Sequence, residues 1–228
     1  MAASRTSAET PAGDPAIPRL ELVGWKEQYG LTAGITTAAA GSVAPPFPAT
    51  VFGRQVHGRT VRWHEALPGG GLIVDATDGH ATAQPGVLLT ISVADCTPVY
   101  LADPTRGTIA LLHAGWRGTA AGILEAGVAL LVGRGGSDVS DIVMHCGVAI
   151  CGTCYEVGSE VAEALGEPPV SGKTHVDIRA VLAAQAAALG IEQVSVSPFC
   201  TAHDAGFHSH RGSGGRAGRM IAYLGRAP

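Results

Sequence analysis

The chain has 228 residues, a formal net charge of −4, 46% apolar residues, only 5% aromatics and 32 glycines, so a sizeable core is within reach but must be built from Ala, Val, Leu and Ile between many glycine-set turns. Its 15 Lys and Arg form no long basic run, which argues against nucleic acid as a partner. No stretch approaches the roughly 20 apolar residues of a membrane span, and the first 20 residues hold no apolar leader segment, so a soluble, cytoplasmic protein without membrane partners is expected.

Residues 1–18 are rich in Ala, Ser, Thr, Pro and Gly, the composition of a mobile tail outside the fold. A short strand and a Pro-rich loop follow, and VFGRQVHGRTVRW (51–63) has the β-branched content of a strand or hairpin. VLLTISV (87–93) is a continuous apolar run too short for a helix and reads as a buried strand. TPVYLA and TIALLHA are two more strands joined by the turn DPTRG. The segment from Thr119 to about Val132 predicts a helix, with Thr119 as its N-cap and Gly133 as its stop. A strand over 141–150, a short helix over 156–165, an Ala-rich helix over 177–190 and a strand at QVSVSPF complete the series, before RAGRMIAYLG closes the chain as strand or helix. Hairpins mixed with crossover helices point to an α+β fold, a single layered domain over 19–228 of mixed β-sheets flanked by helices.

A loop at 103–106 would pair Ala102 with Gly107 and set Cys96 directly opposite His113, where facing Cβ atoms lie about 4.5–5.5 Å apart on one side of the sheet. That spacing suits two ligands of one ion. His57, in RQVHG, is a third candidate ligand, and Asp95 and Arg117 place charge beside the cysteine and the histidine. Two imidazoles and a thiolate with a vacant fourth position form an open zinc site of the catalytic kind; the plainer reading is a small core cysteine and a hydrogen-bonded core histidine.

In order along the chain, RQVHG (54–58), ADCTPV (94–99), HAGWRG (113–118), YEVG (155–158), FCT (199–201) and GR (218–219) resemble the motifs of the laccase-domain family. That family has been called multicopper polyphenol oxidase and is described as zinc-dependent purine nucleoside phosphorylase with adenosine deaminase activity; its members include a peptidoglycan editing factor. The resemblance implies that His57, Cys96 and His113 hold Zn2+, with copper as the alternative ion. It also implies a purine nucleoside and phosphate as small-molecule substrates. By position in the motifs, Arg54, Gln55 and Arg211 are assigned to substrate contact, and Asp95 and Arg117 to the reaction itself. Ala38 stands where the family usually carries an arginine, and FHSHR (207–211) where it carries FFSYR.

Three other activities compete. A copper polyphenol oxidase with a blue centre and a trinuclear cluster draws on many His-x-His pairs, and HSH (208–210) is the single such pair among nine histidines. A cysteine hydrolase acting on a cell-wall precursor would use Cys96 as nucleophile and His113 as base. A fold that had lost its anion site could persist as a zinc-stabilised binding module. CGTC (151–154) lacks the helix that should follow a thioredoxin-like motif, and reads as structural thiols or, with Cys146 and His145 or His175, as a second zinc site.

Overall fold

The computed structural model describes residues 9–12, 19–40, 43–65, 67–169 and 171–228. In chain order these form β1 (Glu9–Ala12), β2 (Arg19–Leu22), α1 (Val23–Tyr29), β3 (Leu31–Thr36), β4 (Ala49–Arg54), β5 (Val61–His64), β6 (Gly70–Asp75), β7 (Gly79–Thr82), β8 (Val87–Val93), β9 (Thr97–Asp103), β10 (Thr108–Ala114), α2 (Trp116–Ala120), α3 (Ile123–Gly133), β11 (Val143–Cys146), β12 (Glu156–Gly158), α4 (Ser159–Ala164), β13 (Lys173–His175), α5 (Ile178–Leu189), β14 (Gln193–Val196) and β15 (Met220–Arg226). Among them no helix is long and apolar enough to cross a membrane.

The architecture is α+β. A seven-stranded mixed sheet runs β1-β2-β3-β15-β8-β4-β6, and a six-stranded mixed sheet runs β14-β11-β9-β10-β7-β5. The two sheets face each other: Ile35, Val51, Leu89 and Ile91 of the first share one core with Tyr100, Ile109 and Leu111 of the second. The opposite face of the second sheet carries Leu101, Leu112 and Met144, which pack on Ile123, Leu124 and Leu131 of α3 and Leu182 of α5. β9 and β10 are therefore buried on both faces along their whole length, the reason their sequences run apolar instead of alternating. Gly127 lets α3 settle onto β10, because a Cβ there would come within 2.8 Å of Leu112. The Tyr100 hydroxyl donates to the Gly34 carbonyl at 2.8 Å and so ties the sheets across their shared core. Tyr100→Phe is expected to lower unfolding free energy by about 1 kcal/mol with the fold unchanged, measured by urea denaturation.

Several sequence expectations are met with shifted limits. β8 occupies 87–93 as expected, and α5 starts on the Asp177 side chain, which accepts from Arg179 N, and stops at left-handed Gly190. RAGRMIAYLG ends in a strand, β15. Residues 51–63 do not form a hairpin: β4 lies in the larger sheet and β5 in the smaller one, since a crossover between layers uses the same turn residues as a hairpin. Thr119 caps nothing. It sits buried within α2, and α3 begins after Gly122 at φ 85. Within the N-terminal stretch expected to form a tail, Glu9–Ala12 pairs antiparallel with β2, a contact that needs only backbone groups.

Candidate metal centre

β4 and β8 are parallel neighbours in the larger sheet, so their C-terminal ends emerge at one edge. From that edge each chain segment crosses to the smaller sheet, the first through 55–60 into β5 and the second through 94–96 into β9. His57 lies in the first crossover, Cys96 in the second, and His113 near the end of β10 beside the start of β9. The ligand atoms of His57, Cys96 and His113 all lie within 4.8 Å of one another. Both crossovers turn through the left-handed region on residues other than glycine, His57 at φ 59 and Asp95 at φ 84, conformations that persist where the surroundings over-determine them.

The three residues meet, but not through the expected register. Asp103 pairs with Thr108 and His113 with Pro98. Asp103 Oδ1 accepts from Thr105 N at 2.8 Å and from Arg106 N at 3.0 Å, and left-handed Gly107 closes the turn onto the Asp103 carbonyl, so the loop is 104–107. The pairing is displaced by two residues, which leaves side-chain parity unchanged. Gly115 permits the close approach, since a Cβ there would stand 3.0 Å from Cys96 Sγ and 3.3 Å from the His57 ring.

Asp78, in the turn before β7, organises the site and carries no motif signal in the sequence. Its carboxylate accepts from the backbone N–H groups of Val56 (3.2 Å), His57 (2.8 Å) and Gly58 (2.9 Å). The same carboxylate meets His113 Nδ1 at 3.0 Å, and the Asp78 carbonyl accepts from His113 N. With Nδ1 held in this way, Nε2 is the ring atom left for an ion, the carboxylate–histidine arrangement that orients metal-binding imidazoles. Burial pushes the Cys96 thiol up, yet hydrogen bonds and charge from His113 and His57 outweigh it and bring the thiol down to about 6. Burial likewise opposes protonation of His113, but Asp78 and Cys96 raise it to about 9. Between those values a metal-free pair would be thiolate and imidazolium, and an incoming cation would take the place of the proton.

The triad opens onto a cavity of about 580 Å3 lined by Arg54, Arg117, Arg211, Arg219, Asp95 and the half-buried Tyr155, among others. With Arg54 paired to Asp75, three further guanidinium groups face one carboxylate, a balance that favours an anion. Arg117 stacks on Trp116 at 4.3 Å from the ring centroid. Arg54 pairs with Asp75 at 2.7 Å. Arg211 lies over the Tyr155 ring at 5.2 Å and donates to the Glu156 carbonyl. Gln55 lines the cavity too, but its amide is joined to Ser92 through both oxygen and nitrogen. The Asp95 carboxylate accepts from the Thr201 hydroxyl and from Arg211 N. Arg219 of the GR motif and Tyr155 of YEVG line the cavity without a signal in the sequence that marks their role, as does His210.

A second cluster lies apart from the first. The ligand atoms of Cys151, Cys154, Cys200 and His203 lie within 4.8 Å of one another. Cys146 is instead buried in the strand core, and His145 Nδ1 meets Ser195 Oγ, so the grouping expected around CGTC is replaced by partners from the 200–203 turn. Multi-copper chemistry does not fit these donors: among the described residues the clusters hold two imidazoles and one imidazole, too few for a trinuclear centre. One ion at His57, Cys96 and His113 does fit.

Comparison with known proteins agrees with this geometry. Residues 36–227 match the family model described as multi-copper polyphenol oxidoreductase laccase. Purine nucleoside phosphorylase ORF3 of Streptomyces griseus is 39% identical over 181 residues, covering 76% of this chain and 73% of that protein. A protein named purine nucleoside phosphorylase from Deinococcus radiodurans is 39% identical over 188 residues, covering 78% and 72%. The crystal structure of YlmD from Geobacillus stearothermophilus superposes with a TM-score of 0.85 at 29% identity, over 96% of this chain and 100% of that one. By motif, fold and centre together, the chain belongs to the multi-copper polyphenol oxidoreductase laccase family.

Proposed function

We propose that the protein is a zinc-dependent purine nucleoside phosphorylase, which breaks the bond between C1′ of the ribose and N9 of the base and joins C1′ to a phosphate oxygen. The observation that carries this reading is the three-ligand centre facing a cavity with four arginines, large enough for a nucleoside; the names of the two relatives support it. His57, Cys96 and His113 would hold the ion, which would supply Lewis acidity at a vacant coordination position. Arg117, its guanidinium plane held by Trp116, and Arg211 would bind phosphate through paired N–H groups. Asp95, held by Thr201 and Arg211, is the candidate for carrying a proton from the attacking phosphate or water to the departing nitrogen. Deamination of adenosine at C6 is included in the proposal as a second activity, and a cytoplasmic setting is supported by five free cysteines.

A thiolate beside an imidazolium also suits a cysteine nucleophile acting on a cell-wall amide. His57 favours the metal reading, because such a nucleophile has no use for a second imidazole held in a strained backbone conformation by Asp78. The test is incubation of purified protein with inosine and adenosine, with and without phosphate. Hypoxanthine and ribose 1-phosphate from inosine are expected in the presence of phosphate alone. Arg117→Ala should raise the KM for phosphate about 10- to 100-fold, the loss of a charge-assisted hydrogen bond worth about 1.5–3 kcal/mol. Base release that ignores phosphate, or a trapped acyl group on Cys96, would refute the proposal.

A further inference from the structure

We infer that Cys151, Cys154, Cys200 and His203 form a second, closed zinc site that staples two walls of the cavity together. Two pairs, each spaced by two intervening residues, supply the donors. Cys151-Gly-Thr-Cys154 folds as a turn in which Cys154 N and Tyr155 N both donate to the Cys151 carbonyl, and Cys200-Thr-Ala-His203 forms the facing turn. Ala149 bridges to Cys200, and Thr201 N donates to the Ala149 carbonyl. The donors are already gathered: Cys154 Sγ lies 3.3 Å from His203 Nδ1, and all four ligand atoms fit within 4.8 Å. Zinc–sulfur bonds of about 2.3 Å in a tetrahedron put sulfur atoms about 3.8 Å apart, so an ion requires contraction by about an ångström at most. Outer contacts suit it as well. Cys151 N donates to Cys200 Sγ at 3.3 Å, a bond that orients the ligand and favours the thiolate, and Cys200 N donates to the Asp204 carboxylate, which fixes the turn. Binding would displace the three thiol protons to solvent and use the neutral ring of His203.

Four protein donors fill every tetrahedral position, so this ion has a structural role, unlike the open centre. Its place in the fold gives that role content. Cys154 precedes Tyr155, whose ring lies under Arg211, and Cys200 precedes Thr201, whose hydroxyl holds Asp95. The staple therefore fixes the turn that carries Tyr155 against the turn that positions Asp95.

Protein purified under reducing conditions without chelator should contain two zinc ions per chain by elemental analysis. Cys154→Ser and Cys96→Ser should each contain one. Cobalt exchanged into Cys96→Ser should show the thiolate charge-transfer intensity of three sulfurs. Should Cys154→Ser fail to fold, alkylation of the unsubstituted chain followed by peptide mass spectrometry decides the matter: the half-buried Cys151 and Cys154 should react at least about tenfold faster after chelation. A single zinc that disappears in Cys96→Ser, alkylation unchanged by chelator, or a disulfide between two of the three cysteines in the reduced preparation would overturn the site.

Discussion

Replacing Cys96 with serine should empty the open centre and abolish phosphorolysis, while the chain stays folded. The thiolate is the one anionic donor among the three ligands, and serine offers a hydroxyl that does not ionise near neutrality. Loss of an outer-shell partner already costs about 10- to 100-fold in metal affinity, so loss of this ligand should cost at least about a thousandfold, measured by competition with a chromogenic chelator. The unsubstituted centre should also show a distinct pH dependence. Above about 6 Cys96 is already thiolate, and up to about 9 His113 holds a proton, so within that window each ion bound displaces one proton from the pair. Affinity should therefore rise about tenfold per pH unit across the window and level off above it. Cys96→Ser protein that keeps its open-site ion yet loses activity would move the assignment to covalent catalysis by the thiol.

The fold was legible wherever a local signal decides the structure. β8 follows from an uninterrupted apolar run, and α5 from an Asp cap at one end and a left-handed glycine at the other. The candidate triad was legible in part, because His57, Cys96 and His113 stand in short motifs, although the expected register was displaced by the turn that Asp103 builds. Features set by distant partners were not legible. RQVHG reads the same in a hairpin and in a crossover, and only the pairing of β4 with β8 decides between them. Cys200 and His203 join Cys151 and Cys154 through a bridge between residues 149 and 200, a proximity with no counterpart in spacing. Asp78 sits in a turn sequence, Thr-Asp-Gly, that gives no hint of the four donors converging on its carboxylate.

That convergence makes Asp78→Ala the substitution with the largest expected effect on the scaffold. Asp78 is fully buried, and its removal strands three backbone N–H groups in the 56–58 crossover as well as the His113 ring. The His113 ring is a buried donor whose stranding costs about 1–3 kcal/mol, and the three N–H groups, on exposed or half-exposed residues that water can reach, add about 0.5–1 kcal/mol each, so the loss should be about 3–5 kcal/mol, among the larger effects of a point substitution. It should appear as a lowered urea midpoint together with a 10- to 100-fold weaker open-site metal affinity, as expected for about one outer-shell contact. Asp78→Asn separates the two roles. The amide keeps one acceptor oxygen but turns an N–H2 toward backbone donors, so part of the stability should return while the charge on His113 is still lost. The acid response adds an independent check. Burial pushes the Asp78 carboxyl up, but hydrogen bonds from His113, Gly58 and Val56 outweigh it and hold it below the usual carboxylate range. Its stabilisation is therefore complete above the ordinary carboxylate pKa and disappears as pH falls through the depressed value. The unsubstituted protein should lose stability steeply on acidification below that ordinary range, and Asp78→Asn, which has no carboxyl to protonate, should show a shallower slope there. Equal slopes in the two proteins would mean that another group governs the acid transition and that the crossover is held by contacts other than Asp78.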